Sequence, residues 1–169
     1  CTLRFTGKVP DAEAISPYYK SEDYISHTNT SKGLINRLYI WVRKRTLRKK
    51  RRLVERLTGV SKGQLLDVGS GTGAFVQEME KHGWKVTGLE PDPDARKVAV
   101  EVNGVNLSDI NTFYDLPAGS FDAITMWHVL EHVHDLQAYI AKLKELLKAN
   151  GRLFIAVPNY TSREAGVYK

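Results

Sequence analysis

"LLDVGSGTGAFVQEM" occupies residues 65–79. It opens with a short apolar run that carries Asp67, places glycine at 69, 71 and 73, and continues with Phe75, Val76 and Met79 at helical spacing. The pattern predicts a buried strand, a tight turn and a helix. Glycine tolerates positive φ and lets a ligand approach the backbone closely, and three alternate glycines exceed what a turn alone requires. No lysine follows them, which excludes a nucleoside-triphosphate P-loop. Gly69-Ser70-Gly71-Thr72-Gly73-Ala74 satisfies the dinucleotide pattern, so the turn alone leaves the kind of adenosine cofactor open.

Beyond Met79 the periodicity alternates. "KVTGLEP" (85–91) predicts a second strand, and "DPDARKVAVEVNG" (92–104) a helix capped by Asp92 or Asp94 and stopped by Gly104. "VNLSDINTFYDLPAGS" (105–120) is irregular, with a weak third strand near Val105–Leu107. "FDAITMWHV" (121–129) is a strand. "LQAYIAKLKELLKANG" (136–151) is an amphipathic helix with Ala138, Ile140, Ala141, Leu143, Leu146 and Leu147 on its apolar face, and "RLFIAVPN" (152–159) is a further strand. Strands alternating with helices indicate βαβ units and a mostly parallel sheet, an α/β three-layer sandwich. Ligands in such sheets sit outside the carboxyl ends of the strands, where strand order reverses.

Glu90 ends the second strand, where a carboxylate can accept hydrogen bonds from both hydroxyls of a ribose. Asp67 separates the candidate cofactors. Its charge would repel a dinucleotide pyrophosphate, whereas S-adenosylmethionine brings an ammonium and a sulfonium group.

"LLDVGSGTG", "GLEPD", "FDAITMWHVLEHVHD" and "LKANGRLFIAVPN", in this order and spacing, resemble the class I S-adenosylmethionine-dependent methyltransferases, most nearly the small-molecule group that includes the ubiquinone-biosynthesis type. The resemblance spans about residues 60–160. It implies a Rossmann-like fold and S-adenosylmethionine as cofactor. Asp67, Gly69, Ser70, Gly71 and Gly73 would line its methionine and ribose parts. Glu90 would hold the ribose hydroxyls, Pro91 and Asp92 would lie beside the adenine, and Asp109 would reach the adenine amine with Ile110 as apolar neighbour. Trp127 and His128 would flank the cofactor and the acceptor entrance, and Pro158 and Asn159 would end the fifth strand. The family sheet has seven strands, so the resemblance also implies that its last strands lie beyond Lys169.

"HVLEHVHD" sets His128 and His132 four apart. No third ligand has a position, so no metal is assigned. His128 has two readings: a base that takes a proton from the acceptor, or a local packing and capping residue.

The 169 residues, 42% apolar and 26% charged, fit one globular domain, and no apolar run is long enough to span a bilayer. "CTLRFTGKVPDAEA" is not a signal peptide and lacks an initiator Met, so the natural chain is expected to begin earlier. The single cysteine, Cys1, excludes an internal disulfide framework and favours a reducing compartment, the cytoplasm. It leaves open a cysteine cluster upstream.

Net charge is +6, and "RKRTLRKKRR" (43–52) holds eight of the 25 Lys and Arg. The block falls in one long helix, or two joined near Thr46, with Leu34, Ile35, Leu38, Trp41 and Val42, then Leu53, Val54 and Leu57, as the apolar stripe. Its charges fit a solvated face, an anionic substrate or membrane, or nucleic acid. Residues 1–58 are read as an arm and basic helical extension acting as a lid, and 59–169 as the cofactor-binding core; the tyrosines fit surface anchoring of the arm, while the resemblance implies a place for Tyr18, Tyr19, Tyr24 and His27 near the substrate. The function expected is methyl transfer to a small-molecule acceptor. The alternatives are an RNA or protein methyltransferase, an NAD-binding oxidoreductase, and a non-catalytic cofactor-binding module.

Overall fold

A computed structural model describes residues 34–159. The N-terminal arm, with Cys1, Tyr18, Tyr19, Tyr24 and His27, lies outside the described residues. Four strands, β1 (Gln64–Val68), β2 (Lys85–Leu89), β3 (Phe121–Trp127) and β4 (Leu147–Ala156), form one sheet in the order β2-β1-β3-β4, and every pairing is parallel. The helices are α1 (Leu34–Thr58), α2 (Ala74–Glu80), α3 (Pro93–Val98) and α4 (Leu136–Leu146).

Both faces of the sheet are covered, which is why β1 reads as a nearly continuous apolar run. Strand alternation sends Leu66, Val68, Ile124 and Met126 into one cluster with Tyr139, Leu143 and Leu146 of α4. Leu65 and Ala123 join the other cluster, with Val54 of α1 and Phe75 and Met79 of α2. β1 has β2 on one side and β3 on the other. Strand order therefore reverses at the end of β1, where the glycine turn begins.

Several expectations are corrected. The third strand near Val105–Leu107 is reduced to a single bridge between Ser108 and Leu89. Val105 and Leu107 instead close over glycines: a Cβ on Gly73 would stand 2.5 Å from Val105 Cγ2, and one on Gly88 would stand 2.4 Å from Leu107 Cδ2. The last predicted helix ends at Leu146, and β4 starts at Leu147, five residues before the expected strand. Register fixes that start, because Leu147 pairs with Phe121. The buried side of α4 is Tyr139, Leu143 and Leu146, while Ala138, Ile140 and Ala141 are exposed. Tyr139 stacks on Phe113 at 4.2 Å between ring centroids, so a long irregular segment, not the helix's own periodicity, selects this face.

α1 is one continuous helix, stopped by Gly59 at φ 70°. Its second half is part of the domain's packing: Val54 is fully buried, with Leu47 and Leu53 against the same cluster. Its first half departs from expectation, since Leu38, Trp41 and Val42 are exposed rather than packed. Among the described residues no helix is long and apolar enough to cross a membrane.

Candidate functional site

The glycine turn is pinned to the end of β2 by backbone. Gly69 and Ser70 N–H donate to the Leu89 carbonyl at 2.8 and 2.9 Å, and the Ser70 hydroxyl donates to the Asp67 carbonyl at 2.9 Å. Gly69, Gly71 and Gly73 have φ of 71°, 54° and 75°, left-handed values that side chains resist. A Cβ on Gly69 would meet Val129 Cγ2 at 2.4 Å. The close approach that these glycines allow is made here by the protein's own side chains, Val129 over Gly69 and Val105 over Gly73.

Glu90, 8% exposed, closes the turn from the neighbouring strand. Its carboxylate accepts from Gly71 N–H at 2.7 Å and from Asp92 N–H at 3.1 Å. Burial raises its pKa, and those two donors hold the rise back. Asp92 caps α3 by accepting from Asp94 N–H at 2.9 Å, so of the two predicted caps Asp92 is the one used. Pro91 is exposed beside it, and its carbonyl accepts from the Arg96 guanidinium at 2.9 Å. Arg96 also pairs with Asp109 at 3.0 Å. Asp109 caps the short helix after it through Asn111 N–H at 2.9 Å. One arginine therefore ties the two segments predicted to flank an adenine.

Asp67 is 1% exposed. Thr125 Oγ1 donates to it at 2.6 Å, as parallel register demands, since the two residues pair across β1 and β3. Burial pushes the Asp67 carboxyl up to about 6, against the pull of that hydrogen bond and of the Lys50 ammonium. Lys50 is itself lowered by burial, an effect that Asp67 opposes. Its Nζ lies 4.3 Å from the centroid of Trp127, whose ring meets Phe75 edge-on at 5.7 Å. Among the described residues no hydrogen-bond partner meets the buried Trp127 indole N–H. Arg43, seven residues earlier on the same side of α1, donates to Thr72 Oγ1 of the glycine turn at 3.3 Å.

His128 departs from its structural reading. It has φ 62°, unusual for a residue with a side chain, and its side chain is 63% exposed. Its Nδ1 stands 3.7 Å from the Glu131 carboxylate. It neither packs in the core nor caps the short helix Leu130–His132, whose first residue is preceded by Val129 with no side-chain cap. Among the described residues no group of three or more His, Cys, Asp and Glu side chains could hold a metal ion. Pro158 and Asn159 follow β4 and are exposed.

Sequence reasoning brought together Asp67, the glycines and Glu90. It missed Thr125, Arg96, Arg43 and Lys50. Strand alternation could have found Thr125 as a partner on the Asp67 face. The two α1 cations were hidden inside a run of like charges, where nothing local tells an inward residue from an outward one.

A methyltransferase-domain family model matches residues 41–168. A ubiquinone biosynthesis O-methyltransferase of Xanthomonas oryzae pv. oryzae is 38% identical over 106 residues, covering 58% of this chain and 44% of that protein. Its counterpart in Erwinia tasmaniensis is 32% identical over 119 residues, covering 66% and 49%. A SAM-dependent methyltransferase from Archaeoglobus fulgidus superposes with TM-score 0.61 at 22% identity, covering 74% of this chain and 57% of that one. The [4+2]-cyclase SpnF superposes at 0.55 with 24% identity, covering 63% and 43%, so the fold alone does not dictate the reaction. The chain belongs to the class I S-adenosylmethionine-dependent methyltransferase family. It spans less than half the length of the curated relatives it matches here.

Proposed function

We propose that this protein transfers the methyl group of S-adenosylmethionine to an oxygen of a small-molecule acceptor. The observation that carries the reading is the buried Glu90 carboxylate held against Gly71 of a three-glycine turn, at the point where strand order reverses. The naming of relatives as O-methyltransferases supports the acceptor atom. The cytoplasm is the setting that the single cysteine fits.

The residues fit the cofactor. Glu90 would take the ribose hydroxyls. Asp92, Pro91 and Asp109, braced by Arg96, would line the adenine side. The turn from Gly69 to Gly73, with Ser70, would let the methionine part lie on backbone. Asp67 would orient its ammonium end, and Arg43 and Lys50 would face its carboxylate. When bound, the cofactor supplies a methyl group on a sulfonium, which is a good leaving group. The chain's own work is alignment and exclusion of water: Trp127 walls the pocket, and α1 covers the turn as a lid. His128, exposed just after β3 with Glu131 beside it, would accept the acceptor's proton.

Two measurements test this. Calorimetric titration of the full-length protein is expected to show binding of S-adenosylhomocysteine and none of NADH, because Asp67 would oppose a pyrophosphate; preference for NADH overturns the assignment. His128→Gln is expected to lower turnover by roughly 10²–10⁴-fold with cofactor affinity kept. His128→Gly, which suits φ 62°, is expected to lose turnover equally without lowering the melting temperature. Unchanged turnover in both variants removes His128 from the chemistry.

A further inference from the structure

The basic block is not one surface. Arg43 and Lys50 point toward the glycine turn and Trp127, and Arg51 pairs with Glu55 and Glu78. Lys44, Arg45, Arg48, Lys49, Arg52 and Arg56 are exposed, and among the described residues no carboxylate pairs with them. Spacing of three and four residues puts Arg45, Arg48, Lys49, Arg52 and Arg56 on the side of α1 opposite the buried Val54. The same side carries Leu38, Trp41 and Val42 at 61%, 57% and 47% exposure. Trp41 and the neighbouring cations line one shallow depression, and the Arg45 guanidinium lies 5.4 Å from the Trp41 ring centroid.

We propose that this outer face of α1 docks the protein on an anionic lipid bilayer. A helix that combines a cationic row with exposed Leu, Val and Trp lies in a membrane interface, its apolar side chains in the headgroup boundary and its cations on lipid phosphates. Charge and apolarity together select this occupant. Nucleic acid would satisfy the cations but leave Leu38 and Val42 in water, and one exposed Trp41 is not the series of aromatic platforms that single strands stack upon. The face is turned away from the cofactor residues, so docking leaves the glycine turn open to its ligand.

The test is flotation of the full-length protein with phosphatidylcholine vesicles, with and without phosphatidylglycerol. Binding is expected only with phosphatidylglycerol, to fall with rising salt, and to shift Trp41 emission to the blue. Trp41→Phe is expected to remove most of that shift, because Trp84 is buried at 3% exposure and Trp127 packs against Phe75 and Lys50 on the inner side of α1. Each cation near the surface contributes about a fivefold factor in partition. Replacing Arg45, Arg48, Lys49 and Arg52 together by Gln is therefore expected to cut partition by more than about a hundredfold, while S-adenosylhomocysteine titration shows the variant folded. Absence of binding, equal binding to neutral vesicles, or tighter binding to single-stranded RNA at the same salt overturns the proposal. So does an intact blue shift in Trp41→Phe.

Discussion

Glu90→Ala is expected to weaken S-adenosylhomocysteine binding by about a hundredfold or more, on the proposal that its carboxylate holds the ribose. A carboxylate facing two ribose hydroxyls contributes roughly 1.5–3 kcal/mol per charge-assisted hydrogen bond, and each 1.4 kcal/mol is about a factor of ten. The structure adds a second cost. Glu90 also accepts from Gly71 N–H at 2.7 Å and Asp92 N–H at 3.1 Å, so its removal strands the buried Gly71 donor and loosens the turn. The melting temperature is expected to fall with a loss of about 1–3 kcal/mol. Glu90→Gln keeps an acceptor for Gly71 and is expected to recover most of the stability but only part of the affinity. Calorimetry and thermal melts on both variants separate the two effects. Less than tenfold loss in Glu90→Ala with the fold intact would remove Glu90 from the cofactor site.

Asp67→Asn is expected to move stability and affinity in opposite directions. The Asp67 carboxyl has a folded pKa of about 6 against an ordinary value of 3.8, with burial as the main cause. For an acid whose folded pKa is raised, the native state binds the extra proton, so stability falls as pH rises from about 4 to 6 and the full cost stands above 6. A rise of about two units corresponds to roughly 3 kcal/mol. Asn keeps an acceptor for the Thr125 hydroxyl while discarding the charge. The variant should therefore gain up to about 3 kcal/mol over the parent at pH 8, with the gain vanishing below pH 4, as read by denaturant melts at both ends. S-adenosylhomocysteine affinity should fall, because the ammonium end loses its counter-charge. A variant no more stable at pH 8 than at pH 4, relative to the parent, would show that Asp67 carries no burial penalty. Lys50 is then the group to examine, since its ammonium offsets part of that penalty.

Buried charge without a nearby structural need is a mark of function. Asp67 sits at the carboxyl end of a central strand, and the Thr125 and Ser70 hydroxyls only partly offset the cost of burying it. The chain tolerates a destabilising carboxylate at the one place where the proposed ligand brings positive charge. A purely structural residue there would be apolar, like Leu66 and Val68 on either side.

The sequence alone determined the strand–turn–helix from Leu65 to Met79, the parallel α/β class, and a carboxylate, Glu90, just after the second strand. These are local: apolar period, glycine conformational freedom and a carboxylate at a strand end are written in adjacent residues. It also determined that Asp92 or Asp94 would cap α3. Tertiary structure decided what adjacent residues cannot encode. Which cations of 43–52 turn inward depends on where Val54 docks α1 against the sheet. Where a third strand was expected, Val105 and Leu107 fill the space over Gly73 and Gly88, and pairing is limited to the Ser108–Leu89 bridge. The buried side of α4 was set by Phe113, 26 positions before Tyr139 in the chain. His128 was read as possible packing, yet its backbone turn at φ 62° carries the side chain out to solvent. At α1, at Val105–Leu107 and at α4 long-range burial decided the outcome, whereas at His128 the backbone turn did.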